Sequence, residues 1–192
     1  MRLIYFVSSI LVGALLGLGV TYAVIAHGLS FDQQVKGGWT FIPRAGAPEM
    51  DPYRRARLFI EGELPLASGE GYALRATRDA DGLLLRGECQ YRLSGPLPTA
   101  RFWTLTLTAA DGTLIEHPTE RAGFTSSEII RPQDGHGVIE IGPEPLAGNW
   151  LPSPPDRAIT VLFRFYETPL SATATLLDPA QLPRLTRIGC RP

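Results

Sequence analysis

Cysteine is nearly absent from this 192-residue chain, which holds two, and histidine occurs three times. So few soft ligands exclude a cysteine-rich zinc framework. Neither charge sign is in excess: 18 basic residues face 19 acidic ones, for a formal net charge of −1. Without a basic field, nucleic acid is not an expected partner. Charged residues make up only 19% of the chain, too few for a disordered, self-repelling polymer. A phosphate-binding loop is missing as well. Gly69-Glu70-Gly71 has no lysine and no helix signal after it. The nucleophile elbow G-x-S-x-G is also absent, since Gly123-Phe124-Thr125-Ser126-Ser127 does not match it.

Glycine and proline are plentiful, at 20 and 17. That density of turns favours an all-β domain over a helical one. Hydrophobic residues reach 44%, so a real core is available.

The longest apolar run lies at the start. Residues 3–26 carry no charge, and as a helix they would extend about 36 Å, enough to span a bilayer with some tilt. Two readings compete, an uncleaved signal-anchor and a signal peptide cut after Ala26. The run exceeds the usual 7–15-residue signal core, roughly speaking, which favours the anchor. Arg2 on one side is nearly balanced by Lys36 and Arg44 on the other. The charge rule therefore leaves orientation open. Ser9, Gly13, Gly17 and Thr21 recur every fourth residue and would form a smooth helix stripe suited to helix pairing and a homodimer. Small residues are also simply common in membrane helices.

Cys89 and Cys190 have no metal-ligand spacing. In an oxidising compartment they make one disulfide, tying the carboxy terminus to a mid-chain strand. In a reducing compartment they are two unrelated thiols. The disulfide reading places the domain outside the cytoplasmic membrane with the amino terminus inside.

Three regions are expected: the anchor 1–27, a tether 28–50 rich in glycine and proline, and a globular domain 51–192. Within the tether, residues 39–42 suit an edge strand or a plug. Asp51-Pro52 opens a short covering helix, with Asp51 as cap and Pro52 in the first turn. Ala56, Phe59 and Ile60 form its apolar side, and Gly62 and Pro65 end it. Strand patterns follow. Residues 72–78 alternate, 79–82 turn, and 83–93 return as a hairpin partner. Residues 101–109 alternate most clearly, with Trp103, Leu105 and Leu107 on one side. Residues 113–116 and 137–142 make further strands. Residues 158–166 are apolar on both faces and should lie centrally, and 185–189 lead to Cys190. So many short strands indicate a sandwich or barrel.

Several segments together resemble a bacterial family. They are Asp51-Pro52-Tyr53 with Gly62-Glu63-Leu64-Pro65-Leu66, Arg101-Phe102-Trp103-Thr104-Leu105-Thr106-Leu107, Asp134-Gly135, Gly148-Asn149-Trp150-Leu151-Pro152, and Phe163-Arg164-Phe165-Tyr166. Their order and spacing are similar to those of domain of unknown function 1214, from about Trp39 to Cys190. The resemblance implies a jelly-roll-like β-sandwich. In longer relatives this unit is the second half of a chain whose first half is domain of unknown function 1254. A stand-alone copy on a membrane anchor is therefore expected to dock on a separately encoded first half. The resemblance brings no catalytic residues with it.

Candidate sites remain sparse. His117, Asp134 and His136 are the obvious metal suspects, with Glu116 and Glu140 nearby in sequence; their spacing matches no known motif and suits solvated turns equally well. Trp150, with Asn149, is either a core plug or an exposed platform for a sugar face or a protein. Arg101 and Arg164 either satisfy buried acceptors or bind an anion. No cofactor is expected. The leading expectation is a non-catalytic periplasmic module on the inner membrane that binds another envelope protein. The alternatives are a glycan- or amphiphile-binding sandwich and a hydrolase or metal-dependent enzyme.

Overall fold

A computed structural model describes residues 2–27, 33–43, 45–67, 69–116, 119, 121–131, 137–168 and 177–190. Helix α1 spans Arg2–His27, and none of its residues is buried. It is long and apolar enough to cross a membrane. Two short strands follow, β1 (Gln34–Lys36) and β2 (Trp39–Phe41), then helix α2 (Pro52–Glu61). Strand β3 is Gly71–Ala76, β4 is Cys89–Ser94 and β5 is Phe102–Ala109. They are followed by β6 (Gly123–Thr125), β7 (Ile139–Gly142), β8 (Asn149–Pro152), β9 (Ile159–Tyr166) and β10 (Arg184–Cys190).

The strands form two sheets. One has six strands in the order β1-β2-β3-β9-β5-β6, and the other has four in the order β10-β4-β7-β8. All pairings are antiparallel except β7 with β8. The chain changes sheets between β3 and β4, β4 and β5, β6 and β7, and again on either side of β9. The result is a mainly β, sandwich-like domain preceded by an apolar helix.

Strand alternation builds the core. Trp103, Leu105 and Leu107 of β5 and Val161, Phe163 and Phe165 of β9 turn inward with Leu74 of β3. Tyr91, Leu93, Ile139, Ile141, Leu151 and Leu185 join them from the other sheet. Strand β9 takes the central place that its apolar sequence calls for, between β3 and β5. The patch at 39–42 proves to be both strand and plug. Trp39 is buried, and its Nε1 donates to the Pro183 carbonyl at 2.7 Å.

Local signals fix α2. The Asp51 carboxylate accepts from the Arg54 amide at 2.9 Å, and Gly62 closes the helix in the left-handed region at φ 65°, where a side chain would be strained. The expected apolar side, Ala56, Phe59 and Ile60, does not cover the domain, however. Leu58 faces the domain, whereas Phe59 and Ile60 are exposed.

The expected hairpin of residues 72–78 with 83–93 is also corrected. Asp79–Gly82 does turn, and Arg78 bridges Leu84, but β3 pairs with β9 and β4 lies in the other sheet. Gly87 explains the departure. A Cβ there would sit 1.7 Å from the Pro154 carbonyl oxygen. This close backbone approach carries the chain from one sheet to the other.

Candidate functional site

A groove crosses the outer face of the six-stranded sheet. Residues two apart in a strand share a face, so the register places Ala73, Arg164 and Thr104 in one row and Arg75, Leu162 and Thr106 in the next. The segment after α2, from Gly62 to Leu66, borders this face. One cavity of about 430 Å³ is lined by that segment with Arg75, Leu114, Leu162, Arg164 and Tyr166. A second, of about 390 Å³, shares Glu63, Leu66, Arg75 and Leu162 with the first. It reaches back to Arg57 of α2 and His27 of α1. The groove thus runs from the end of α1 toward the turn at Asp111.

Its charges are mostly committed. Arg75 Nη2 lies 2.7 Å from Glu63 Oε2 in a half-buried pair. Thr113 donates to Asp111 Oδ1 from its hydroxyl at 2.7 Å and its amide at 3.0 Å, which holds that carboxyl below its usual range. Arg164 differs. Half-buried beside Leu162 and Tyr166, it has no hydrogen-bond or ion-pair partner among the described residues. Apolar surface lies around it. Leu64 and Leu114 are exposed, and Phe102 packs obliquely on Tyr166 with ring centroids 5.9 Å apart.

The sequence candidates are therefore dispersed. Arg164 lies in the groove. Arg101 is exposed and pairs with exposed Glu167 at 2.8 Å, whose carboxylate raises the guanidinium pKa further. Trp150 stands on the outer face of the other sheet, in register with Glu140. It is half-buried, and its Nε1 donates to the Gly142 carbonyl at 2.9 Å. Asn149 is buried and acts as a clamp. Its Oδ1 accepts from the Ile130 amide at 2.7 Å, and its Nδ2 donates to the carbonyls of Ile130 and Val138 at 2.8 and 2.9 Å. Replacing Asn149 by Ala is expected to cost about 2–3 kcal/mol, since these backbone groups lose their partner. Urea unfolding measures the loss, and faster hydrogen exchange at the Ile130 amide locates it.

His117, Asp134 and His136 lie outside the described residues. Among the described residues, no three His, Cys, Asp or Glu side chains group to hold a metal. Cys89 and Cys190 are joined by a disulfide between paired strands β4 and β10. In the α1 stripe, Ser9 Oγ donates to the Phe6 carbonyl at 2.9 Å, and Gly13 and Gly17 face open space.

Sequence reasoning assigned no site role to Arg75, Glu63, Leu114 and Tyr166. They come from a strand, a loop, a turn and another strand, and only the sheet register brings them together.

A family model described as "Protein of unknown function (DUF1214)" matches residues 70–170. No curated protein matches the sequence. Among solved structures, the chain is similar to the VPA0106 protein from Vibrio parahaemolyticus, at TM-score 0.63 and 16% identity. That likeness covers 92% of this chain and 44% of that one. An uncharacterised protein from Burkholderia cenocepacia matches at TM-score 0.40 and 20% identity, covering 76% of this chain and 45% of that one. This chain spans less than half the length of either.

Proposed function

The chain belongs to the DUF1214 family, and on that footing we propose that it is a non-catalytic, membrane-tethered binding module of the bacterial envelope. Helix α1 holds it in the inner membrane with the sandwich in the periplasm, where the Cys89–Cys190 disulfide is stable. Its partner is another envelope protein, a separately encoded chain with domain of unknown function 1254. The observation that carries this reading is the length comparison. The Vibrio protein shares the fold yet is more than twice as long, so the unit there has a companion half. The groove supplies a fitting surface: exposed Leu114 and Phe102 beside a guanidinium, Arg164, that lacks a partner among the described residues. Aromatic and Arg anchors ringed by apolar side chains are what protein interfaces concentrate.

The test is affinity purification of the full chain from native membranes after mild crosslinking. The account expects one stoichiometric partner with a domain of unknown function 1254. Arg164→Glu should lose that partner while keeping the fold. A monomer with no associated protein, or equal recovery by Arg164→Glu, would count against it.

A second reading is favoured by the continuity of the groove with the end of α1. There it would hold a small anionic amphiphile, with its acyl chain along Leu66 and Leu162. Native mass spectrometry of the detergent-extracted protein would show a co-purifying lipid lost in Arg164→Glu.

A further inference from the structure

We propose that α2 is an interfacial helix, lying in the headgroup region of the bilayer that holds α1, with Phe59, Ile60 and Leu64 inserted among the lipids. At 100° per residue, Pro52, Tyr53, Ala56, Phe59 and Ile60 share one side of α2, and Leu58 lies opposite. In a soluble domain the apolar side faces the core. Here the arrangement is reversed, because Leu58 alone is buried. Phe59 is 89% exposed, Ile60 67% and Leu64, just beyond the helix, 89%. Three neighbouring large side chains this open need a cover.

The position of α2 identifies that cover. Arg57 Nη1 donates to the carbonyls of Ile25 and Ala26 at 2.9 and 3.0 Å. These belong to the last turn of α1, whose carbonyls have no partner within the helix and attract a cation. The exposed face therefore begins where the membrane span ends. Tyr5 and Tyr22, both exposed, lie 17 positions apart in α1, or about 26 Å along a helix. They mark the two interfacial belts in which tyrosine concentrates. Tyr22 is one turn before the carbonyls that Arg57 holds, which puts α2 at headgroup depth. On the helical wheel, Arg55 and Arg57 flank the apolar side, the placement that suits a helix lying in an interface with anionic lipids. The span, the aromatic belt and the outward apolar face all converge on one level.

The inference rests on α1 lying in the bilayer, and its test separates the two claims. Single cysteines replace Leu16, Phe59, Ile60, Leu64 and Asp81 in the full chain, with the native disulfide intact. Each carries a nitroxide label in nanodiscs of mixed neutral and anionic lipid. The account expects labels at 59, 60 and 64 to collide preferentially with oxygen over an aqueous nickel chelate, approaching the label at 16. The label at 81 should behave as fully aqueous. In parallel, fluorescence of Phe59→Trp should be quenched by brominated lipid. A lipid signal at 16 with aqueous signals at 59, 60 and 64 overturns the inference and leaves the tether standing. Aqueous signals at 16 as well remove both. Labels at 59–64 that are aqueous in nanodiscs but shielded in native membranes assign the face to a protein, and also overturn it.

Discussion

Asp79→Ala is expected to destabilise the domain by about 3–5 kcal/mol, the cost of breaking a buried ion pair by removing one partner. The Asp79 carboxylate is completely buried, and its Oδ2 lies 2.8 Å from Arg187 Nε. Its Oδ1 accepts from the amides of Asp81 and Leu83 at 3.1 and 2.9 Å. One side chain thus holds the turn after β3 and also fastens β10 across it. Arg187 in turn donates from Nη2 to the Leu84 carbonyl at 2.7 Å and lies over the Tyr91 ring. Removing Asp79 leaves that guanidinium largely enclosed without its counter-charge. Asp79→Asn should cost less, because its amide oxygen still accepts from the turn. The double variant Asp79→Ala/Arg187→Met should be more stable than Asp79→Ala alone, since no unpaired charge remains. Urea denaturation of the full chain in detergent, followed by tryptophan fluorescence, measures all three. Equal stability of Asp79→Ala and the native chain would contradict the account.

Loss of the disulfide is the second large effect. Cys89 and Cys190 stand 101 positions apart, and closing a loop of that length contributes up to about 4.7 kcal/mol in the chain-entropy model. The bond joins the first residue of β4 to the last of β10. Cys89→Ser/Cys190→Ser should therefore loosen β10 first. That would uncover Leu185 and the β4 edge that β10 protects. Hydrogen exchange should rise across β10 before it rises in β9. The two effects should also be less than additive. Asp79–Arg187 and Cys89–Cys190 both fasten β10, so once the strand detaches through one loss, the other has less left to hold.

The sequence was most legible where the signal is local. Asp51-Pro52 and Gly62 bound α2 because caps and left-handed turns depend on a few neighbouring residues. Trp103, Leu105 and Leu107 alternate because β5 has one face in the core. Residues 158–166 are apolar on both faces apart from Thr160 and Arg164, because β9 is central and Leu162, on its outer face, is covered as well. Legibility failed where distant elements meet. Residues 83–93 alternate well enough to suggest a hairpin, but Gly87 must touch Pro154, and that contact is visible only in three dimensions. Phe59 and Ile60 were correctly placed on one side of a helix, yet periodicity does not say whether that side meets protein or lipid. Asn149 stood out beside Trp150 as a binding candidate; its role as a clamp depends on Ile130 and Val138. Arg164 stood out because a cation in an aromatic strand is unusual, whereas the groove around it needed the register of β3, β9 and β5.

The central claim is that the outer face of the six-stranded sheet receives a protein partner while α1 holds the domain at the membrane. Site-specific photo-crosslinking in native membranes tests it most directly. Photoreactive residues would replace Leu114 and Tyr166 in the groove, with Thr186 on the outer face of the other sheet as control. The account predicts one membrane-associated adduct of defined mass from 114 and 166, none from 186, and loss of the adduct when Arg164→Glu is added. Equal adducts from all three positions, or none from the groove, would contradict it.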